Sequence, residues 1–153
     1  MLKTLEQFIC DTCGGVIESV NDGWIEWEGS YENDEAVDKN FRICHHDMKC
    51  QKLANHRHCS DLPLREICGD KTHTFLYTHL DVGPYHQKKY SKPSIVDFRE
   101  YVELMRRLTI PYYEEARQWW SEATSDGYFG DANEISIYLP ENLKRMIEHY
   151  SER

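Results

Sequence analysis

The stretch Cys10-Asp-Thr-Cys13-Gly14-Gly15, answered further along by Cys44-His45-His46-Asp-Met-Lys-Cys50, decides how the chain is read. A Cys-x2-Cys pair spans one edge of a tetrahedron around a metal ion, with Zn–S near ~2.3 Å and Zn–N near ~2.0 Å. The second group supplies the opposite edge. His46 and Cys50 have three residues between them and His45 and Cys50 have four, both familiar zinc-ligand spacings. A helix beginning near His46 would put His46 and Cys50 on one face. A strand running through His45 would instead turn that ring to the side of Ile43. Spacing alone does not choose. The candidate metal ligands are therefore Cys10, Cys13, His45, His46 and Cys50, with Zn2+ in a structural role.

Local signals around the cysteines point to a β-rich lobe. Gly14 can adopt the backbone angles that let amides approach the sulfurs. Val16–Val20 and Trp24–Trp27 flank Asn21-Asp22-Gly23, whose turn chemistry predicts a hairpin. Residues 29–40 read as a polar loop, and Phe41–Ile43 as a third short strand that delivers Cys44, His45 and His46. Asp47–His56 reads as the start of a helix with Cys50, Leu53 and Ala54 on one side.

This layout of knuckle, hairpin, strand and ligand-bearing helix start resembles a treble-clef or zinc-ribbon domain over about residues 8–56, a third of the chain. The whole chain also resembles a loose group of small bacterial and phage proteins without an assigned activity. The stretches that carry this second likeness are Cys10-x-x-Cys13, Asp22-Gly-Trp-Ile-Glu-Trp27, His45-His46, Ser60-Asp-Leu-Pro-Leu64 and Ile110-Pro-Tyr-Tyr-Glu-Glu-Ala-Arg117. The resemblance implies a zinc site and carries over no catalytic role.

Other uses of the thiols have less support in the pattern. A redox Cys-x2-Cys belongs in a βαβ setting that these flanks lack. Free thiols beside a turn, with Cys44 and Cys50 as small core residues, are the plainer alternative. Iron–sulfur ligation stays open. The six cysteines follow no secretory signal pattern, and no apolar run approaches the roughly 20 residues of a membrane span. Both facts point to a reducing cytoplasm, where thiols bind metal or sit buried.

Composition fits one folded unit. The 153 residues are 40% hydrophobic with a mean hydropathy of -0.74, so a metal staple would help the core. The net charge is -9. Residues 1–70 carry 7 Lys/Arg against 14 Asp/Glu, and residues 71–153 carry 11 against 13. Such a chain repels phosphate backbones at long range unless a local basic patch intervenes. Lys88, Lys89 and Lys92 form the one compact patch, and a nucleic-acid surface would need them to join Arg106, Arg107 and Arg117.

The second half is mainly helical. Thr74–Thr78 reads as a strand and Val82-Gly83-Pro84 as a turn. A helix follows Pro93 with Ile95, Phe98, Val102, Met105 and Leu108 on one face and Ser94 and Asp97 as its capping pair. Pro111 stops it and opens the next, whose stripe is Tyr112, Ala116, Trp119, Trp120 and Ala123. Ile135, Ile137 and Leu139 alternate as a short strand. From Pro140, the positions Leu143, Met146, Ile147 and Tyr150 give a final amphipathic helix. The expected fold is α+β: a zinc-stapled β-rich lobe over residues 1–70, then a mainly helical part over 71–153 with one short strand, packed as one unit.

Three further constellations have the residue types for a site. His56, His58, Cys59, Cys68 and His73 have the residue types for a second metal site, but no standard pair spacing. A His-Me nuclease could draw on His45 or His46, Asn55 and His56 or His58, yet only eight residues separate His46 from Asn55, too few for the loop and strand such a unit needs. Trp119 and Trp120 beside Tyr112 and Tyr113 could leave an interaction face, and Glu114 and Glu115 suit a helix N-terminus. No phosphate-binding Gly-rich loop, nucleophile elbow or paired-carboxylate motif occurs. The sequence thus favours a zinc-stabilised cytoplasmic protein that binds another protein, with nuclease and nucleic-acid accessory roles as alternatives and catalysis the lesser expectation.

Overall fold

The computed structural model describes residues 1–84 and 92–152, and the fold is α+β. Two long antiparallel strands, β3 (Gly23–Glu32) and β4 (Glu35–His45), dominate the N-terminal part. Asn33 and Asp34 link them with φ of 52° and 63°, the mirror-turn geometry whose twist matches that of the strands. β5 (Cys59–Pro63) pairs with the other edge of β3, from Trp24↔Pro63 to Glu28↔Cys59. A separate small ladder joins β1 (Phe8–Ile9) to β2 (Val16–Ile17), and the Cys10–Cys13 knuckle is the turn between them.

The hairpin is therefore not the one expected from Asn21-Asp22-Gly23. β2 folds back on β1, and the expected polar loop of residues 29–40 is strand on either side of the Asn33-Asp34 turn. Beyond the end of β5 most of this hairpin is solvated, so few apolar residues mark it. The outer edge of β4 is closed by other groups. Glu100 accepts the Phe41 N–H, Asp11 accepts the Ile43 N–H at 2.8 Å, and the Ser94 carbonyl accepts the Asp38 N–H at 2.8 Å. Capping of this kind withdraws a strand edge from further pairing.

After His45 the chain makes turns rather than the expected helix. The Asp47 carbonyl accepts the Cys50 and Gln51 amides, and the buried Glu26 carboxylate accepts those of Lys52 and Leu53 at 3.0 and 3.1 Å. The last two amides are thereby claimed from outside the segment.

The remaining elements are α1 (Leu64–Ile67), a 3-10 turn (Gly69–Lys71), α2 (Thr72–Leu80), α3 (Phe98–Thr109), α4 (Tyr113–Ala116), a 3-10 turn (Arg117–Trp119), α5 (Trp120–Ser125), α6 (Glu134–Ile137) and α7 (Pro140–Ser151). Thr74–Thr78 is helical, not a strand. Thr72 and Leu76 face inward four residues apart, and that burial overrides the β preference of the stretch. The expected strand at Ile135–Leu139 is also helical through Ile137, capped by the Asn133 side chain on the Ser136 amide, with Ile135 left exposed. The described helical part contains no named strand; its one bridge joins Ile95 to Asp38.

α3 starts later than expected and is rotated. Asp97 alone caps it, accepting the Arg99 and Glu100 amides, while Ser94 donates to the His79 carbonyl. Its buried face is Tyr101, Leu104, Arg107 and Leu108; Phe98 and Val102 are exposed. Polar anchors set this face: the Tyr101 hydroxyl donates to the Leu76 carbonyl at 2.6 Å, and Arg107 enters an ion network. The final helix, α7, buries Leu143, Met146, Ile147 and Tyr150 as its period predicts.

Two apolar clusters result. One joins Phe8, Ile17, Ile25, Trp27, Ile43, Leu64, Ile67 and Leu76 to Tyr101, Leu104 and Leu108, so strands and α3 share a core. The other packs Tyr113, Ala116 and Ala123 against α7, with Trp119 and Trp120 partly buried beside it. No helix among the described residues is long and apolar enough to cross a membrane.

Candidate metal centre

The register of the sheet builds the site. β4 ends at His45, opposite Gly23, and the following turns return Cys50 toward the knuckle. The Thr12 hydroxyl donates to the Cys50 carbonyl at 2.6 Å and accepts from Arg42 Nη2 at 2.6 Å, which fastens that return. Within the knuckle, Gly14 N–H donates to the Cys10 carbonyl and Cys10 N–H to the Gly15 carbonyl, both at 2.9 Å. Gly14 has φ +71°, and a Cβ on Gly15 would stand 3.4 Å from Cys13 Sγ and 3.5 Å from His45 Cε1. Gly14 supplies the positive φ this turn requires, whereas a Cβ on Gly15 would make ordinary van der Waals contact.

One ligand atom each from Cys10, Cys13, His45 and Cys50 lies within 4.8 Å of the others. This is a Cys3His group that could hold a metal ion. His45 Nδ1 stands 3.5 Å from Cys13 Sγ and 3.8 Å from Cys50 Sγ. Its Nε2 lies 3.1 Å from the Val16 carbonyl oxygen. A carbonyl can only accept, so Nε2 carries a proton, and Nδ1 is the ring atom turned to the thiols, the one that would meet a metal.

Amides support the sulfurs: Thr12 N–H points at Cys10 Sγ and Gly15 N–H at Cys13 Sγ, each at 3.4 Å. Burial opposes charge on Cys10, yet amide hydrogen bonds from Cys13, His45 and Thr12 and the bond to the His45 side chain lower its thiol to about 6. Burial, followed by hydrogen bonding to and charge on Cys10 and Cys13, pushes Cys50 up to about 11. Burial works against the charged form of His45, but the Cys10 thiol and Val16 raise it overall. Three thiolates packed this closely repel one another, and a cation among them removes that cost.

His46 is not part of the group. Its ring stacks on Trp24 with centroids 4.3 Å apart and an interplanar angle of 13°, while its N–H donates to the Asp22 carbonyl. Because His45 ends the strand, consecutive side chains diverge there. His46 instead borders a cleft of about 520 Å³ over the cluster, shared with Cys13, Asn21, Asp22, His45, Asp47, Lys49 and Cys50.

The second constellation does not converge: among the described residues no other group of three or more His, Cys, Asp or Glu meets the same criterion. His56 and His58 have ring centroids 6.1 Å apart, the Cys59 thiol donates toward Asp61, and burial raises Cys68 to about 12. Lys88 and Lys89 lie outside the described residues, and Lys92 pairs with Glu35 at 2.7 Å. Arg107 and Arg117 are engaged inside the chain with Asp11, Glu114 and Glu103, and Arg106 lies over the Tyr138 ring.

No family model matches this chain, and neither a curated protein nor a solved structure matches it.

The groups that hold the site in place carry no local sequence motif. Asp11 and Ile9, on either side of Cys10, are gripped by Arg107 and Glu114; Glu26 pins the segment after Cys50. Charged residues inside amphipathic helix and strand patterns read as surface. The available signal was Arg107 itself, which falls on the face shared by Tyr101, Leu104 and Leu108.

Proposed function

We propose that Cys10, Cys13, His45 and Cys50 bind one Zn2+ ion as a structural staple, and that the chain is a non-catalytic cytoplasmic protein that binds a partner protein as an adaptor. The observation that carries the metal reading is the convergence of four ligand atoms within 4.8 Å. Three thiols and an imidazole suit zinc by softness. A tetrahedron with standard Zn–S and Zn–N bonds has S–N edges of about 3.6 Å, and the two S–N separations are 3.5 and 3.8 Å. Four protein ligands would complete the ion's shell, as in structural rather than catalytic sites.

The nuclease alternative draws less support. A general base needs a ring nitrogen free to take a proton; His45 has one nitrogen on the Val16 carbonyl and the other on the thiols, which leaves His46 for that role, and the eight residues between His46 and Asn55 count against it. The adaptor reading rests on charge and exposure. The acidic balance of residues 1–70 favours a basic partner surface, and Tyr31 and Met48 are 81% and 82% exposed.

Metal analysis of freshly isolated protein tests the first half: about one zinc per chain is expected, and chelation should unfold the N-terminal lobe in far-UV circular dichroism. Zinc-free protein with an unchanged spectrum would sink it. For the second half, a pull-down from the native host should recover a partner with wild-type bait that is lost with metal-depleted bait.

A further inference from the structure

Among the four members of the cluster, Cys13 is the exposed one, while Cys10 and Cys50 are 2% and 8% exposed. Cys13 opens on the cleft of about 520 Å³ described above, ample for a small oxidant. Its sulfur lies within 4.8 Å of those of Cys10 and Cys50. Cys10 shares a single hydrogen-bonded turn with it, so joining the two requires no movement of residues 44–50. Cys50 is tied down through its carbonyl to Thr12. Cys44 is fully buried, and Cys59 and Cys68 belong to no thiol group.

We propose that Cys13 is a modification site for hydroperoxides, and that Cys10 resolves the oxidised sulfur as a disulfide. In the first step the Cys13 thiolate attacks one peroxide oxygen. The O–O bond breaks, Cys13 becomes a sulfenic acid, and the other oxygen leaves as water or an alcohol after taking a proton. In the second, the Cys10 thiolate attacks the Cys13 sulfur. The S–O bond breaks, an S–S bond forms, and hydroxide leaves and is protonated to water. The two sulfurs together lose two electrons and the peroxide gains two. A metal held by the four ligands would lose two of them and be released. This last consequence rests on the zinc reading; the thiol chemistry does not.

The test treats full-length protein, as isolated, with stoichiometric hydrogen peroxide, followed by alkylation of free thiols, peptide mapping and a chromogenic zinc assay. The free-thiol count should fall from six to about four, with Cys10 linked to Cys13, about one zinc released per chain, and both changes reversed by a dithiol reductant. A double Cys59→Ser/Cys68→Ser variant, which starts with four thiols, should lose the same two and release the same zinc. Recovery of Cys13 as an unmodified thiol, its conversion to sulfinic acid without a disulfide, or its linkage to Cys50 would overturn the proposal. If the isolated protein holds no zinc, the metal reading fails while the thiol map still decides the peroxide site.

Discussion

Arg107 Nη1 stands 2.7 Å from Asp11 Oδ2, a contact between α3 and the residue that follows the first cysteine. The same guanidinium donates to both Glu114 oxygens at 2.8 Å and to the Ile9 carbonyl at 3.1 Å. Glu114 in turn accepts the Ile9 N–H at 2.8 Å. Both neighbours of Cys10 are thus fastened to the helices, and the knuckle is positioned by charge as well as by its own turn. Burial opposes the charge on Arg107, but Glu114 and Asp11 hold it well above the usual guanidinium range.

Replacing Arg107 by Leu leaves Glu114 buried without its cation. Breaking a buried pair from one side costs about 3–5 kcal/mol, to be read by urea unfolding of the metal-loaded protein. Arg107→Met with Glu114→Gln should recover part of that loss, since a neutral pair carries no uncompensated charge. Because the network orients Cys10, Arg107→Leu should also weaken zinc binding about 10–100-fold in a chelator competition, the range for lost ligand-orienting contacts. Unchanged stability and affinity would show that the network does not support the knuckle.

Glu26 has no solvent exposure; its carboxylate accepts the Lys52 and Leu53 amides and lies 3.9 Å from Arg42 Nε. Glu26→Ala orphans both donors and should cost about 1–3 kcal/mol for each that stays dry. Glu26→Gln, which keeps one acceptor oxygen, should cost less. Hydrogen exchange offers a local readout: the two amides should lose protection in Glu26→Ala ahead of those in β3 and β4.

The parts of this fold legible in the sequence are those where residue type and spacing act alone. Cys-x2-Cys, the return of Cys50 and the 3.6-residue stripe of α7 need no distant partner to be recognised. The choice between His45 and His46 depended on where β4 stops, which is set by its register with Gly23. The extended hairpin was missed because its tip carries Glu32, Asn33, Asp34 and Glu35 with little apolar alternation; backbone pairing, not burial, holds it. Thr74–Thr78 misleads in the opposite sense: its Thr74, Tyr77 and Thr78 are exposed, while Leu76, one helical turn after the buried Thr72, packs into the shared core with Phe75 partly buried beside it. The ion network around Arg107 joins residues 96 apart, beyond the reach of any local pattern.

Asp38 Oδ2 lies 3.1 Å from His79 Nδ1, and its other oxygen accepts from Trp27 Nε1 at 2.9 Å. Burial would raise the Asp38 carboxyl, but His79, Ser94 and Trp27 together lower it below its ordinary value. A folded pKa below the unfolded one contributes stability that is full above the unfolded value, about 3.9, and is lost as pH falls through the folded one. Unfolding free energy measured from about pH 6 to 2 should therefore fall more steeply in wild type than in Asp38→Asn below about pH 4. Above that range the difference between the two should be flat. Parallel curves throughout would remove Asp38 from the acid response.

The two adjacent histidines offer the sharpest separation of roles. His45 presents Nδ1 to the thiols, whereas His46 stacks its ring on Trp24. Changing His45 to Ala removes a ligand, so bound zinc should drop far below one per chain under chelator competition, with the N-terminal lobe losing amide protection. His46→Ala should retain the wild-type zinc content and lose about 0.5–1.5 kcal/mol, the scale of one aromatic contact. His45→Cys supplies the control, because a fourth thiolate should restore zinc binding if coordination, rather than packing of the ring, is what His45 provides. Equal zinc contents in His45→Ala and His46→Ala would contradict the assignment of His45 as the fourth ligand.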